Sequence, residues 1–133
     1  MIIYLDSCIF IYWLDDVGPL HLRAKNRVQA LQLAQDRIGL SDLTRLECRV
    51  GPLKRNDTVV LSAFDALFAR PEVQLVPLSS AVFDRAAQLR AELSFKTPDA
   101  LHLAAAIESG CDRFLTNDTR LSSCADILIE VLR

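Results

Sequence analysis

Residues 2–7 read Ile2-Ile3-Tyr4-Leu5-Asp6-Ser7. The first four side chains are apolar, and the run has no polar face. Such a run suits a strand covered on both sides, as the strands of a parallel sheet are. Asp6-Ser7 then opens a helical stretch through Ile9-Phe10-Ile11-Tyr12-Trp13-Leu14. A carboxylate placed directly after a buried strand is hard to dismiss as ordinary surface. In open α/β sheets, ligands bind beyond the carboxyl ends of the strands.

Outward from this segment, strand and helix patterns alternate. Gly18-Pro19 breaks the first helix, and Leu20, Ala24, Val28, Leu31 and Ala34 give a second one over 20–35. Residues 38–41 form the next short strand. Ser41 is placed to cap a helix that would carry Leu43, Leu46 and Val50 inward. Gly51-Pro52 and Asn56-Asp57 punctuate that helix. A further helix is predicted over 58–69, with Val60, Phe64, Leu67 and Phe68 on its apolar face. Residues 73–78 read as a strand and 80–93 as a helix. Thr97 is the expected N-cap of a helix with Pro98 in its first turn and Gly110 at its end. Strands at 113–116 and 127–131 close the pattern. This alternation predicts an α/β fold with a mainly parallel sheet of about five strands. Residues 1–133 are expected to form one domain.

Composition agrees with a packed domain, since 51% of the residues are hydrophobic and Gly and Pro are few. The formal charge is −2, which by itself does not favour a nucleic-acid partner. Masking four acids with a cation would move the balance to +2 and leave fifteen Lys and Arg to meet phosphates. Cys8, Cys48, Cys111 and Cys124 form no CxxC pair and lie in or beside apolar runs, so reduced thiols are expected. The N-terminus shows no signal-peptide pattern, and no apolar run approaches the roughly 20 residues of a membrane span. A cytoplasmic protein is expected.

Four acids fall at changes of element: Asp6, Glu47, Asp99 and Asp118. Taken singly, each has a plain explanation. Asp99 would stabilise a helix N-terminus, Asp118 would form a turn, and Glu47 would be solvated. Ser7 would be a cap, Asn117 a turn former, and His102 a satisfied, partly buried histidine. Taken together, four carboxylates gathered at one sheet edge would repel unless a hard divalent cation offset their charge. Cations so held are the equipment of phosphodiester hydrolysis. Other classes lack their marks. A haloacid-dehalogenase-like phosphatase needs an acid at position 8, which is Cys8. A receiver domain needs paired acids after its first strand. No GxGxxG turn is present for a dinucleotide. RNA binding without cleavage, and cleavage of DNA, both remain open from the residues alone.

The segments Tyr4-Leu5-Asp6-Ser7, Ser41-Asp42-Leu43-Thr44-Arg45-Leu46-Glu47, Thr97-Pro98-Asp99-Ala100-Leu101-His102-Leu103-Ala104 and Leu115-Thr116-Asn117-Asp118 resemble the PIN-domain family. Within it they are similar to the VapC-type toxins of bacterial toxin–antitoxin pairs. The resemblance covers nearly the whole chain. It implies a three-layer α/β/α sandwich and a metal-dependent endoribonuclease using Mg²⁺ or Mn²⁺. Asp6, Glu47, Asp99 and Asp118 would be the catalytic, metal-binding acids, with Asp42 and Asp112 as alternatives to Glu47. Ser7, Thr44, Thr116 and Asn117 would form the supporting polar shell. Metal-activated water would cut RNA to leave a 5′ phosphate and a 3′ hydroxyl. Arg45, Arg49, Lys54, Arg55 and Lys96 flank these positions as candidates to hold RNA. A cognate antitoxin and a homodimer are further implied partners, with Phe10, Ile11, Trp13 and Leu14, or the 58–69 helix, as candidate surfaces. No membrane partner is expected.

Overall fold

A computed structural model describes residues 1–133. Strand β1 (Ile2–Leu5) is followed by helices α1 (Ser7–Asp15) and α2 (Pro19–Leu33). Strand β2 (Arg37–Leu40) leads into α3 (Asp42–Lys54) and α4 (Thr58–Phe68). After β3 (Val73–Leu75) come α5 (Ser80–Leu93) and α6 (Thr97–Glu108). Strand β4 (Arg113–Thr116), a 3₁₀ turn over Thr119–Ser123 and β5 (Leu128–Val131) complete the chain. All neighbouring strands pair parallel, in the order β3-β2-β1-β4-β5.

Strand β1 is central, and Ile3, Tyr4 and Leu5 are each 0% exposed. Successive side chains point to opposite faces of a strand. Tyr4 and Phe114 therefore enter a core built with Val82, Ala86 and Leu89 of α5 and with Ala100, Leu103 and Ala104 of α6. Ile3, Leu5 and Leu115 enter a second core with residues of α1, α2, α3 and α4, among them Phe10, Val28, Cys48 and Phe64. Each fully buried Leu, Ile or Phe contributes about 1.5–3 kcal/mol of transfer free energy. The result is a three-layer α/β/α sandwich, with α5 and α6 on one face and α1–α4 on the other.

Several boundaries differ from expectation. Helix α3 does not stop at Gly51-Pro52 but continues to Lys54, with Pro52 buried inside it. Pro52 has no N–H, so one helical hydrogen bond is missing there while the ring fills core space. The buried residues of α3 are Thr44, Cys48 and Pro52. Leu46 and Val50, expected inward, are 60% and 42% exposed. Strand β3 ends at Leu75, although the Val76 N–H still donates to the Leu40 carbonyl at 2.7 Å. The next residue, Pro77, has no N–H to continue the ladder. Lys96 is the N-cap of α6, and Thr97 lies inside the helix. Gly110, at φ 70°, follows the end of α6 as a left-handed stop. No helix is long and apolar enough to cross a membrane.

From β1 the chain moves outward through β2 to β3, then returns to place β4 on the other side of β1. The order of winding thus reverses between β1 and β4. Such a switch point opens a crevice at the carboxyl ends of the two strands.

Candidate functional site

Asp6 and Asp118 stand at that crevice, one directly after β1 and the other two residues past the end of β4. A cavity of ≈ 790 Å³ occupies it, and Asp6, Glu47, Asp99 and Asp118 all line it. Ser7, Cys8 and Asn117 are also on its wall. Ile11, Tyr12, Leu46 and Val50 form an apolar side. The exposed Leu46 and Val50 of α3 thus face the cavity rather than the core.

Asp6 is the N-cap of α1 and is 9% exposed. Its Oδ1 accepts from the Ser7 N–H at 2.9 Å, and its Oδ2 accepts from the Thr116 hydroxyl at 2.8 Å. Thr116 Oγ1 in turn accepts from the Asp118 N–H at 3.1 Å, so one hydroxyl joins the two strand ends. Burial pushes the Asp6 carboxyl above its ordinary range despite the opposing effects of the His102 charge, Thr116 and Ser7. Asp99, in the first turn of α6, is likewise raised, first by burial and then by the Asp6 and Asp118 charges.

Glu47 and Asp118 behave oppositely. Burial presses the Glu47 carboxyl upward, but His102 and Ser7 outweigh it and hold the group below its ordinary range. Ser7 Oγ donates to Glu47 Oε1 at 2.9 Å, and His102 Nε2 lies 2.5 Å from the same oxygen. Asp118 is lowered first by hydrogen bonds from the Arg120 side chain, whose Nη2 is 2.5 Å from Oδ2. Cys8 stays a thiol, because burial, with Asp6 next, pushes it up to about 12. All four cysteines are free.

The supporting residues divide. Ser7, Thr116 and Asn117 act at the crevice, with Asn117 Nδ2 donating to the Tyr12 hydroxyl at 3.3 Å. Thr44 does not reach it: it is 0% exposed, and its hydroxyl accepts from the Ser41 N–H at 3.2 Å as part of the cap of α3. Of the alternatives to Glu47, Asp42 is exposed and pairs with Arg45. Asp112 accepts from the Ile2 N–H at the opposite end of β1. Only Glu47 of these three lines the cavity.

The basic candidates also divide. Arg45, Arg49, Lys54 and Arg55 are not on the cavity wall. Arg49 pairs with Asp65, and Arg55 pairs with Asp15 and Asp57. Lys96 lines a smaller hollow shared with Asp99 and Arg120. Sequence reading missed Arg120, which borders both spaces. Its position two residues after Asp118 was the available signal. Sequence reading also placed His102 only as partly buried, whereas it is 1% exposed and both ring nitrogens are engaged.

As they stand, no three His, Cys, Asp or Glu side chains converge closely enough to hold an ion. Arg120 engages both oxygens of Asp118, whereas Ser7 and His102 engage only Oε1 of Glu47. The donor set nonetheless fits a hard divalent cation. It is all carboxylate oxygen, and no hydrogen bond contributes to the raised state of Asp99.

Residues 3–127 match the family model of the PIN domain. The chain belongs to the PIN-domain family. Solved structures share its fold. VapBC2 from Rickettsia felis, bound to a DNA fragment from its promoter, gives a TM-score of 0.82 at 19% identity, with 100% of each chain covered. The sarcin–ricin-loop-cleaving toxin VapC20 of Mycobacterium tuberculosis gives 0.78 at 16% identity, covering 98% of this chain and 99% of that one. FitAcB from Neisseria gonorrhoeae gives 0.73 at 19% identity, covering 96% and 95%. Among curated proteins none matches.

Proposed function

We propose that this protein is a metal-dependent endoribonuclease and the toxin of a VapBC-type toxin–antitoxin pair. The observation that carries the reading is the meeting of Asp6, Glu47, Asp99 and Asp118 on one cavity at the sheet's switch point. Membership of the PIN family and the likeness to VapC folds support it.

In this reading the four carboxylates hold Mg²⁺ or Mn²⁺. The bound ion supplies activation of water and neutralisation of charge for in-line hydrolysis of a phosphodiester. Thr116 and the Ser7 N–H fix Asp6, and Ser7 Oγ fixes Glu47. Asp99, without such donors, is the most adjustable of the four. No side chain acts as a covalent nucleophile. Cys8, the nearest thiol, is protonated at neutral pH. Arg120 on the cavity wall and Lys96 on the adjoining hollow meet RNA phosphates, while Arg45, Arg49, Lys54 and Arg55 contribute at longer range. The apolar side at Ile11, Tyr12, Leu46 and Val50 suits an apolar segment of an antitoxin. A homodimer and a cytoplasmic location belong to the same reading.

The test is cleavage of end-labelled total tRNA and rRNA by purified protein, with Mg²⁺ or Mn²⁺, with EDTA, and with Asp6→Asn. Discrete fragments ending in 5′ phosphate, dependent on both the ion and Asp6, are the expected result. RNA bound without cutting would replace the nuclease by a binding protein.

A further inference from the structure

Among the four acids, Glu47 alone is gripped at a single oxygen. Both of its donors, Ser7 Oγ and the His102 ring, meet Oε1. Asp6 and Asp118 have both oxygens engaged. Glu47 is thus held in orientation and yet keeps Oε2 free.

His102 sits in the middle of the apolar run Leu101-His102-Leu103-Ala104 on α6. A buried imidazole there is costly unless both nitrogens find partners. Both do. Nε2 meets Glu47 and lies 3.2 Å from Ser7 Oγ, while Nδ1 is 2.7 Å from the Tyr4 hydroxyl. Tyr4 is 0% exposed, and its hydroxyl is enclosed between the His102 ring and Ser41. The Tyr4 oxygen is also 3.0 Å from Ser41 Oγ. An ionised Glu47 can only accept, so Nε2 carries the proton of that hydrogen bond, and Nδ1 shares another with the Tyr4 hydroxyl. The tyrosine ring stacks on Phe114, with centroids 5.4 Å apart and planes 8° apart. The imidazole is therefore fixed by packing behind it and by hydrogen bonds at both ends.

We infer that His102 is a positioning residue of the metal centre: it holds Glu47 by Oε1, and so presents Oε2 to the ion. Tyr4 and Ser41 fix the ring from behind. This rests on the metal-dependent reading above. Groups that orient a ligating carboxylate characteristically change metal affinity by about 10- to 100-fold when removed.

The experiment is a titration of the metal-free full chain with Mn²⁺, read by electron paramagnetic resonance, with melting followed in parallel. The variants are His102→Leu, His102→Gln, Tyr4→Phe, Glu47→Gln and the double variant His102→Leu/Glu47→Gln. His102→Leu is expected to weaken Mn²⁺ binding about 10- to 100-fold, the range seen when a group that orients a metal ligand is removed. His102→Gln, which restores an N–H donor near the Nε2 position, should recover most of that loss. In the Glu47→Gln background, His102→Leu should add almost nothing, because the two act as one unit. A loss as large in that background as in the wild type would make His102 merely structural and overturn the inference. So would wild-type affinity in His102→Leu. Should the leucine variant not fold, Tyr4→Phe takes its place in the same cycle, with a smaller loss expected and the same two overturning results. Wild-type protein that binds no Mn²⁺, or binds it equally in Asp6→Asn, would remove the metal centre itself and this inference with it. Tight, Asp6-dependent binding that ignores His102 would overturn only the inference.

Discussion

Glu47 and Asp118 each have a nitrogen base at hydrogen-bond distance, whereas Asp6 and Asp99 do not. All four line the same cavity, yet the first pair is lowered and the second pair raised. Location is shared, so partners decide. His102 and Arg120 keep their acids charged without an ion. Asp6 and Asp99 carry the repulsion and burial that an ion would relieve.

The largest effect expected from this contrast is on cleavage. Asp99→Asn should reduce RNA cutting by at least about 10²–10³-fold, the scale of losing one group that stabilises developing charge. Its metal-free melting temperature should stay level or rise, since a strained charge is removed. A large fall in melting temperature would show instead that Asp99 holds the fold together.

Next in size is stabilisation by the ion. Mn²⁺ at a hundred times its dissociation constant should add about 2.7 kcal/mol to wild-type stability. Asp6→Asn should lose most of that increment, as measured by denaturant unfolding.

The pH profile sharpens the comparison further. A carboxyl raised in the folded state binds more protons folded than unfolded, so stability falls as pH rises from its unfolded pKa through the raised folded one. Asp6 and Asp99 should therefore make the metal-free protein gain stability as pH drops from neutral into that window. Glu47 and Asp118, being lowered, give stability that is present above their unfolded pKa and lost as pH falls through the folded one. Asp6→Asn/Asp99→Asn should abolish the gain and leave only the acid loss, a difference readable in melting curves between neutral and mildly acid pH.

Arg120→Ala is a smaller test. Arg120 is largely exposed, and ion pairs so open to water contribute little. Freed of it, Asp118 should bind the ion more tightly by up to about fivefold. Weaker Mn²⁺ binding would show that Arg120 supports the centre rather than competing with it. Arg45→Ala should do least, changing stability by under about 0.5 kcal/mol, because its only ion pair is with exposed Asp42.

Much of this contrast was out of reach of the sequence, although its scaffold was not. The apolar Ile2–Leu5 run identified a strand covered on both faces, and the alternation of elements predicted the parallel sheet. Asp6 and Asp118 were legible because each follows a strand directly or nearly so. The inward face of α3 was not. Leu43, Leu46 and Val50 recur at helical spacing, but so do Thr44, Cys48 and Pro52, and periodicity does not say which stripe meets the core. Turning Glu47 into the crevice carries Leu46 and Val50 to its wall as well. His102 and Arg120 were missed as partners because their roles depend on α3 and the 3₁₀ turn arriving beside them, which no local pattern reports.

The hydroxyl of Thr116 touches Asp6 across a separation of 110 residues. Contacts of that range close only after the intervening chain has been made, and they close slowly. A growing polypeptide still held in the ribosome's exit tunnel at β4 has Asp6 exposed but no crevice. Any chemistry that needs the completed crevice therefore waits until the chain has been made through β4.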